Sequence, residues 1–203
     1  MKHLAFIFSA MILISCGNQT EETVNETPVE VKEEVCNFSY NNATTVNWTA
    51  FKLSEKVGVN GTFDSVIVTN TNASESVEEM LKGAEFAIYT STVNSNDSIR
   101  DWKIANHFFG VMDSTDAITG NILSLENGQG KVALKMNGVS FEIPVTYSLK
   151  EESSELMLET SVNIPDWSRP ALDKLNEVCS EKHTGPDGVN KLSKKTTNNN
   201  ADV

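Results

Sequence analysis

The chain has 203 residues and a formal net charge of −12, from 28 acidic and 16 basic residues. This length accommodates one domain of ordinary size with tails at its ends. The only basic cluster is Lys191, Lys194 and Lys195 near the C-terminus, so the composition argues against binding to nucleic acid and against membrane attachment by polybasic attraction.

The N-terminus has the pattern of a bacterial lipoprotein signal peptide. A short basic start precedes an apolar run from Leu4 to Ile14, which is too short to span a bilayer. The run leads into Leu13-Ile14-Ser15-Cys16, which has the form of a lipobox. We predict a signal peptide over residues 1–15 and a membrane anchor on lipidated Cys16. An ordinary signal peptide with a chance cysteine is the alternative.

Residues 16–35 are predicted to form a flexible tether, because they are rich in polar residues and contain no aromatic side chain. The folded domain is predicted over residues 36–195, and residues 196–203 form a polar C-terminal tail. The two remaining cysteines, Cys36 and Cys179, are predicted to form a disulfide in an exported protein. Two free buried thiols or a metal pair are alternatives, but no metal site is predicted because companion ligands are lacking.

The first half of the domain alternates apolar and polar residues with the period of a strand. Strands are predicted over residues 44–52, 56–69 and 85–93. Within the second of these, Gly61 indicates a bend or the close approach of another part of the chain. A short helix is predicted over residues 74–83 from its capping and C-terminal glycine signals.

The stretch from Asn94 to Gly110 breaks this alternation. Its bulky apolar side chains recur at helical spacing, and Asp97 and Ser98 are candidate caps for the start of a helix. A closed sheet needs a segment that plugs or flanks its open end. We predict that this aromatic-rich helix has that role.

The second half of the domain has the pattern of an antiparallel meander. Its clearest turn signals are the turn over residues 127–130 and the dipeptide Asn137-Gly138. The other predicted elements are strands over 117–125, 131–136, 139–149 and 155–164, a helix over 168–179 capped by Ser168, a turn over 183–188 and a last strand over 189–195. Together the strands predict an all-β fold with short helices, a barrel or sandwich of about eight strands. Their length favours the barrel, which could hold packed side chains or one ligand.

Several short motifs in this order resemble the YceI-like family, over about residues 44–189. They are Val46-Asn-Trp-Thr-Ala-Phe-Lys, Lys56-Val-Gly-Val-Asn-Gly-Thr-Phe, Ser91-Thr-Val-Asn-Ser, Arg100-Asp101, Phe108-Phe109, Ile118-Thr-Gly and Met136-Asn-Gly-Val. The resemblance implies an antiparallel lipocalin-like barrel in a secreted bacterial protein. It also implies an amphiphilic lipid, such as a polyisoprenoid, as the ligand in the lumen. Many members carry a histidine where this chain has Leu53-Ser-Glu-Lys56.

The resemblance and the apolar strand faces together define the candidate ligand-binding residues. An apolar lumen would remove the lipid chain from water at roughly 25 cal/mol per Å2, and Arg100 would pair with a charged headgroup. For the apolar candidates, core packing is the alternative; for Arg100, it is an ion pair with Asp97 or Asp101. The candidates are Phe63, Phe86, Ile88, Arg100, Trp102, Phe108, Phe109, Leu134, Met136, Phe141, Ile143, Val145, Tyr147 and Leu158.

We therefore predict a lipid-anchored protein of the bacterial cell envelope that holds an amphiphilic lipid for storage or transport. The alternative is a barrel with a packed core that acts as a structural module or binds another envelope protein. No catalytic residue or cofactor is predicted, since His107 has none of the partners that a nucleophilic or metal-dependent site requires.

Overall fold

The computed structural model describes residues 37–150 and 155–190, together with the backbone of residues 200–202. The predicted signal peptide and tether, with Cys16, and also Cys36 lie outside the described residues. The strands are β1 Val46–Lys52, β2 Val57–Phe63, β3 Val66–Thr69, β4 Glu85–Tyr89, β5 Val93–Asn94, β6 Ala117–Glu126, β7 Gln129–Met136, β8 Val139–Lys150, β9 Glu155–Glu159, β10 Ser161–Asn163 and β11 Asn200–Asp202. The helices are α1 Val77–Leu81, α2 Ser98–His107, α3 Ile164–Val178 and α4 Ser180–His183, with 3₁₀ turns at Thr90–Thr92 and Phe109–Val111.

These strands form a closed antiparallel barrel. One sheet has the order β10-β11-β1-β2-β5 and the other has the order β3-β4-β6-β7-β8-β9. Three strands cross between the sheets, because β2 continues into β3, β4 into β5 and β9 into β10 after a short corner. When each crossing strand is counted once, about eight strands remain in the described part of the chain, each paired with two neighbours. The predicted fold class is therefore confirmed.

The corner between β2 and β3 corrects one prediction. The sequence predicts a single strand over residues 56–69, but the chain turns at Asp64 and Ser65. The Asp64 backbone N–H donates to the Thr92 carbonyl oxygen at 3.0 Å, and the Ser65 N–H donates to Thr92 Oγ1 at 3.1 Å. The predicted strand over 85–93 bends at the same place. At both bends the inward positions shift by one residue, from Phe63 to Val66 and from Ile88 to Val93. The prediction of single strands overlooked this break in the alternation.

Gly61 in β2 lies directly opposite Trp48 in β1. A Cβ atom on Gly61 would lie 2.4 Å from the Trp48 ring and 2.6 Å from the backbone oxygen of Asn94. The indole therefore crosses over the glycine, and its Nε1 donates to the Thr62 carbonyl oxygen at 3.2 Å. The close approach predicted at Gly61 is confirmed.

The two Asn-Gly turns form hairpins. Asn127 and Gly128 have φ angles of 52° and 79°, and Asn137 and Gly138 have φ angles of 52° and 70°. Positive φ at both central residues is the geometry of a type I′ turn, which matches the twist of the strands it joins. The first turn is tighter than predicted, because β7 already begins at Gln129.

The inward side chains of the barrel form two apolar clusters, one at each end. The α1-end cluster is Val77, Met80, Leu81, Ala84, Ile122, Leu125, Val132 and Val145. The α3-end cluster is Trp48, Phe63, Ile88, Val93, Phe108, Phe109, Met112, Ile118, Leu134, Met136, Val162, Ile164, Trp167, Ala171 and Leu172. Phe86 and Ile143 pack against both, so the apolar interior is continuous from one end of the barrel to the other.

The predicted helices are present, but α1 at Val77–Leu81 is shorter than the predicted range 74–83, and α3 is longer than predicted. Ser76 Oγ accepts from the Glu79 N–H at 3.1 Å at the start of α1. In α3, Ser168 leaves the helical conformation, with φ −158° and ψ 96°, and its Oγ accepts from the Ala171 N–H at 3.2 Å. Ser168 thus caps the longer part of α3, as predicted. An additional helical turn, starting at Ile164, precedes it.

The predicted last strand over residues 189–195 lies mostly outside the described residues, which end at Asn190 before residues 191–199. Asn190 forms an isolated bridge with Thr184. The strand that closes the barrel is β11, which pairs with β1 and β10 and falls within the predicted polar tail. Three paired residues are too few to show as a hydrophobic period.

The predicted disulfide between Cys36 and Cys179 stays a prediction. Cys179 follows α3 as a half-buried free thiol in the structure, and Cys36 is not among the described residues. Within the described ranges, no helix has the length and apolar character needed to cross a membrane.

Candidate functional site

The barrel interior brings together most of the predicted ligand-binding residues. Phe63 meets Phe109 edge to face, with ring centroids 5.9 Å apart, and Phe109 meets Phe108 at 4.8 Å. The candidates in the α3-end cluster are Phe63, Ile88, Phe108, Phe109, Leu134 and Met136. Val145 belongs to the α1-end cluster, with Tyr147 and Leu158 packed against it, and Phe86 and Ile143 join the two clusters.

Two aromatic candidates, Trp102 and Phe141, are exposed and do not belong to the buried interior. Trp102 is 58% exposed on α2, so its predicted place in the lumen is corrected. Phe108 and Phe109 follow the helix and turn inward, whereas Trp102 lies on the solvent side with Ile99, which is 70% exposed. Phe141 is 41% exposed at the barrel edge, where its ring meets Trp167 at 4.7 Å.

Arg100 braces the start of α2. Its Nε donates to Ser95 Oγ at 2.7 Å, and its Nη2 donates to the Ser95 carbonyl oxygen at 2.7 Å. Asp101 accepts a hydrogen bond from the Ser95 backbone N–H at 2.8 Å, and Asp97 caps the helix by accepting from the Arg100 N–H at 3.0 Å. The neighbouring carboxylates thus bind backbone groups. Two of the five guanidinium N–H donors of Arg100, which were predicted for a headgroup, are therefore used within the fold.

The interior is apolar and buried. The residues larger than alanine in the two clusters are 3 to 9% exposed. The predicted lining residues thus contact one another and the helices at the two ends of the barrel.

The sequence reasoning missed the part of the lining that comes from β1, β10 and α3. Trp48, Val162, Ile164 and Trp167 are all buried in the α3-end cluster. Trp48 alternates with polar residues in a predicted strand, which is a signal that could have placed it inside. The helical spacing of Leu172 and Leu175 predicts a buried face for α3, but only the tertiary structure shows that this face packs against the α3-end cluster.

The end of the barrel near α2 carries several polar contacts. Lys103 Nζ donates to the Val178 carbonyl oxygen at 2.8 Å, close to the C-terminal end of α3. His183 Nδ1 lies 3.1 Å from Oδ1 of the buried Asn176. The pKa of His183 is lowered from 6.5 to about 4, first by burial and then by repulsion from Lys52 and Lys103. The imidazole is therefore neutral at physiological pH.

This histidine predicts a pH dependence of stability. Between pH 6.5 and about 4 the unfolded chain binds a proton at His183 and the folded protein does not, so the free energy of unfolding falls as the pH falls through this window. We expect the H183Q variant to lose less stability than the wild-type protein between pH 7 and pH 4.5. Urea unfolding at pH 7, 5.5 and 4.5 measures this. If the free energy of unfolding falls equally with pH in the two proteins, the lowered pKa of His183 is contradicted.

The opposite end of the barrel is held by a bond between α1 and β8. The Tyr147 hydroxyl donates to Glu78 Oε1 at 2.6 Å. This bond lowers the pKa of the Glu78 carboxyl and raises the pKa of the Tyr147 hydroxyl. Tyr147 thus has its ring against the α1-end cluster and its hydroxyl on the helix, an arrangement that holds α1 over the barrel.

A second concave surface lies outside the lumen. An open groove of about 480 Å3 runs over the outer face of β3, β4, β6 and β7. Its floor contains the small residues Ala87 and Ala133, and Tyr89 and Lys135 also line it. The groove is distinct from the apolar interior because strand residues alternate between the two faces.

The described residues contain no group of three or more His, Cys, Asp or Glu side chains that could hold a metal ion. His107, the last residue of α2, meets the Trp102 ring edge to face at 5.1 Å. This contact places the imidazole against an exposed aromatic side chain.

Comparisons with known proteins found partial structural similarity. No family model and no curated protein matches the chain. Among solved structures, it is similar to a polyisoprenoid-binding domain from Saccharophagus degradans implicated in plant cell wall breakdown, with 16% identity, a TM-score of 0.48 and coverage of 66% of this chain and 82% of the other.

Two further solved structures are similar over most of their length. For Burkholderia cenocepacia BcnA, the identity is 10%, the TM-score 0.46 and the coverage 78% of this chain and 91% of the other. For the Campylobacter jejuni YCEI protein, the identity is 16%, the TM-score 0.43 and the coverage 80% and 91%. All three TM-scores are below 0.5. The fold of this chain is therefore defined by its own strand pairing and not by these similarities. That pairing forms an antiparallel barrel with a continuous apolar interior.

Proposed function

We propose that this protein binds the apolar chain of an amphiphilic lipid, such as a polyisoprenoid, inside the barrel. The observation that carries the proposal is the continuous apolar interior between α1 and α3, joined through Phe86 and Ile143. Burial of a long hydrocarbon chain in such an interior is favourable at roughly 25 cal/mol per Å2. The S. degradans domain is named for polyisoprenoid binding; for this chain the proposal is supported by its own lining residues.

Entry of the chain requires a movable cover, and α2 fits this role. None of the residues of α2 is buried, and only Ile104 and Ala105 of this helix pack partly against the α3-end cluster. Displacement of α2 therefore removes little apolar contact from the core. The hydrogen bonds from Lys103 to Val178 and from Arg100 to Ser95 would be exchanged for bonds with water.

The proposal includes the setting in which the lipid is held. Lipidation of Cys16 would anchor the protein in the bacterial cell envelope, with residues 16–35 as tether, and the bound lipid would be stored or transported there. Metabolic labelling with an alkyne fatty acid tests the anchor. Loss of the label in a C16A variant is the expected result, and retained label would contradict it.

Blocking the interior tests lipid binding directly. Ile143 contacts both apolar clusters, so we expect the I143W variant to obstruct the passage between them. Exclusion of roughly 60 Å2 of ligand surface would weaken binding of a farnesyl or longer chain about tenfold. Native mass spectrometry and titration with isoprenoid alcohols measure this loss.

The control is I67W, which adds the same side chain at an exposed residue of β3. It should leave lipid binding unchanged. Equal affinities for I143W and wild-type protein, with both folded by circular dichroism, would place the ligand outside the barrel. Absence of lipid uptake by the wild-type protein would overturn the proposed function.

A second candidate function is a protein-interaction module with a packed barrel. The exposed Ile99 and Trp102 on α2 favour it, because neighbouring large apolar residues on a surface mark contact sites. The two functions separate in one measurement. If the wild-type protein takes up no lipid and captures an envelope protein that W102A does not capture, the second function is supported. If W102A loses lipid uptake instead, Trp102 takes part in lipid entry.

A further inference from the structure

The outer groove on β3, β4, β6 and β7 is formed by differences in size between outward side chains. Ala87 lies opposite Ile67 in β3 and opposite Thr119 in β6. Thr119 lies in turn opposite Lys135 in β7, so two small residues are placed between two long ones. Tyr89, two residues from Ala87 on the same face of β4, bounds this depression along the strand and is 37% exposed. The volume of about 480 Å3 is in the range that small-molecule sites occupy.

The uncharged polar side chains of the groove have no partners in the fold. Within the described part of the chain, none of them takes part in a hydrogen bond through its side chain. Four carry hydroxyl groups and one carries an amide, so each can both donate and accept. This capacity is available to a ligand. The five residues are Thr69, Tyr89, Thr119, Asn121 and Ser140.

The outward polar side chains of the other sheet are arranged differently. Thr49 Oγ1 donates to Asn60 Oδ1 at 2.8 Å, and Thr62 Oγ1 donates to Asp64 Oδ1 at 3.1 Å. Asn94 Nδ2 donates to Asp64 Oδ2 at 2.9 Å. Threonine and asparagine side chains on that face thus satisfy one another, although water also reaches them. Exposure alone therefore does not account for the unpaired side chains of the groove.

The charges of the groove favour an uncharged ligand. Among the described residues that line it, Glu85 is the one carboxylate and Lys135 the one ammonium group. They lie two strands apart and two residues out of register, which separates their Cα atoms by roughly 12 Å. No ion pair joins them. Because the two charges are opposite and apart, the groove has no net charge that would select a phosphate or a cation.

We propose that this outer groove binds a saccharide. The hydroxyl and amide side chains match the hydroxyl groups of a sugar, which also donate and accept. The exposed Tyr89 ring presents an electron-rich face on which the C–H bonds of a sugar ring can pack. The small side chains of Ala87 and Thr119 let the ring approach the sheet. This site is on the opposite face of the strands from the lumen, so it is independent of the proposed lipid binding.

Titration of the full chain with disaccharides tests the proposal. Maltose, cellobiose and N,N′-diacetylchitobiose are added to 15N-labelled protein, and amide shifts are followed by NMR. We expect at least one of them to bind with a dissociation constant of about 1 mM or lower. The amide signals of Ala87 and Thr119 should shift, and that of Thr49 on the other sheet should not. The Y89A variant should bind about tenfold more weakly, because the stacking face is lost.

Filling the groove gives a second test with a matched control. A87L places a bulky side chain on the floor of the groove and should abolish sugar binding. N47L adds the same side chain at an exposed residue of β1 and should bind as the wild-type protein does. Y89F keeps the ring and should retain most of the affinity, which separates stacking from folding. Thermal melting of every variant gives an independent check of the fold.

The outcomes separate this site from the lumen. Absence of binding by all three disaccharides up to about 10 mM would overturn the saccharide site, and so would binding that A87L retains. Binding of inorganic phosphate or lysine in place of the sugars would show that the groove selects a charged ligand, which also overturns the proposal. I143W should keep sugar binding in full, and loss of it there would place the sugar in the barrel. Sugar binding without lipid uptake would support the groove and contradict only the proposed function.

Discussion

We expect the G61A variant to lose about 3 kcal/mol of its free energy of unfolding, the upper part of the range for overpacked cores. The added methyl group would lie 2.4 Å from the Trp48 ring and 2.6 Å from the Asn94 backbone oxygen. Both are closer than atoms can approach, so either the indole leaves the interior or β5 separates from β2. Either change opens the barrel at a corner. Urea unfolding followed by tryptophan fluorescence measures the loss.

The same strand supplies the control for this variant. A Cβ atom on Gly58 would meet nothing closer than Thr49 Cγ2 at 3.5 Å, which is ordinary contact. The G58A variant should therefore be as stable as the wild-type protein or more stable by up to about 1 kcal/mol, because alanine loses less backbone entropy in a strand. If G61A also stays within 1 kcal/mol of wild type, Trp48 does not lie across Gly61.

The N137A variant is expected to lose about 3 kcal/mol, for two separate reasons. Asn137 has a φ of 52°, a left-handed conformation that costs alanine roughly 1–2 kcal/mol. Its side chain also joins three parts of the chain. Oδ1 accepts from the Asp113 backbone N–H at 2.7 Å, and Nδ2 donates to the Trp167 carbonyl oxygen at 2.7 Å. Each lost bond costs about 1 kcal/mol.

The other hairpin turn separates these two contributions. Asn127 has the same φ of 52°, but its side chain makes no hydrogen bond within the described part of the chain. The N127A variant should therefore lose only the conformational part, about 1–2 kcal/mol. N137G, which removes the side-chain bonds but tolerates the turn, should fall between N137A and wild type. Equal losses in N137A and N127A would show that the bonds to Asp113 and Trp167 do not stabilise the fold.

Asn137 shows why contacts between distant parts of the chain cannot be predicted from the sequence. The dipeptide Asn137-Gly138 predicts the hairpin, because it requires positive φ at two adjacent residues. Nothing in the neighbouring sequence indicates that the same asparagine binds Asp113 and Trp167. Those partners lie 24 and 30 residues away in the chain, and only the closed barrel brings them together.

The corner at Asp64 and Ser65 shows the same limit for strands. The inward residues include Phe63 in β2 and Val66 in β3, so the alternation shifts by one residue at the corner. The bend depends on hydrogen bonds with Thr92, which belongs to another strand. The shift in the alternation marks an interruption of the strand, but it does not indicate that the sheet curls at this point to close a barrel.

The sequence by itself determined the alternation that builds the strands, the two Asn-Gly hairpins, the helix caps and the apolar character of the lumen. These depend on the preferences of neighbouring residues. Only the tertiary structure decided that Trp102 faces solvent, that Arg100 is held by Ser95 and that Asn137 joins Asp113 to Trp167. The reason is physical, since burial and electrostatic contact depend on distances between elements that are far apart in the chain.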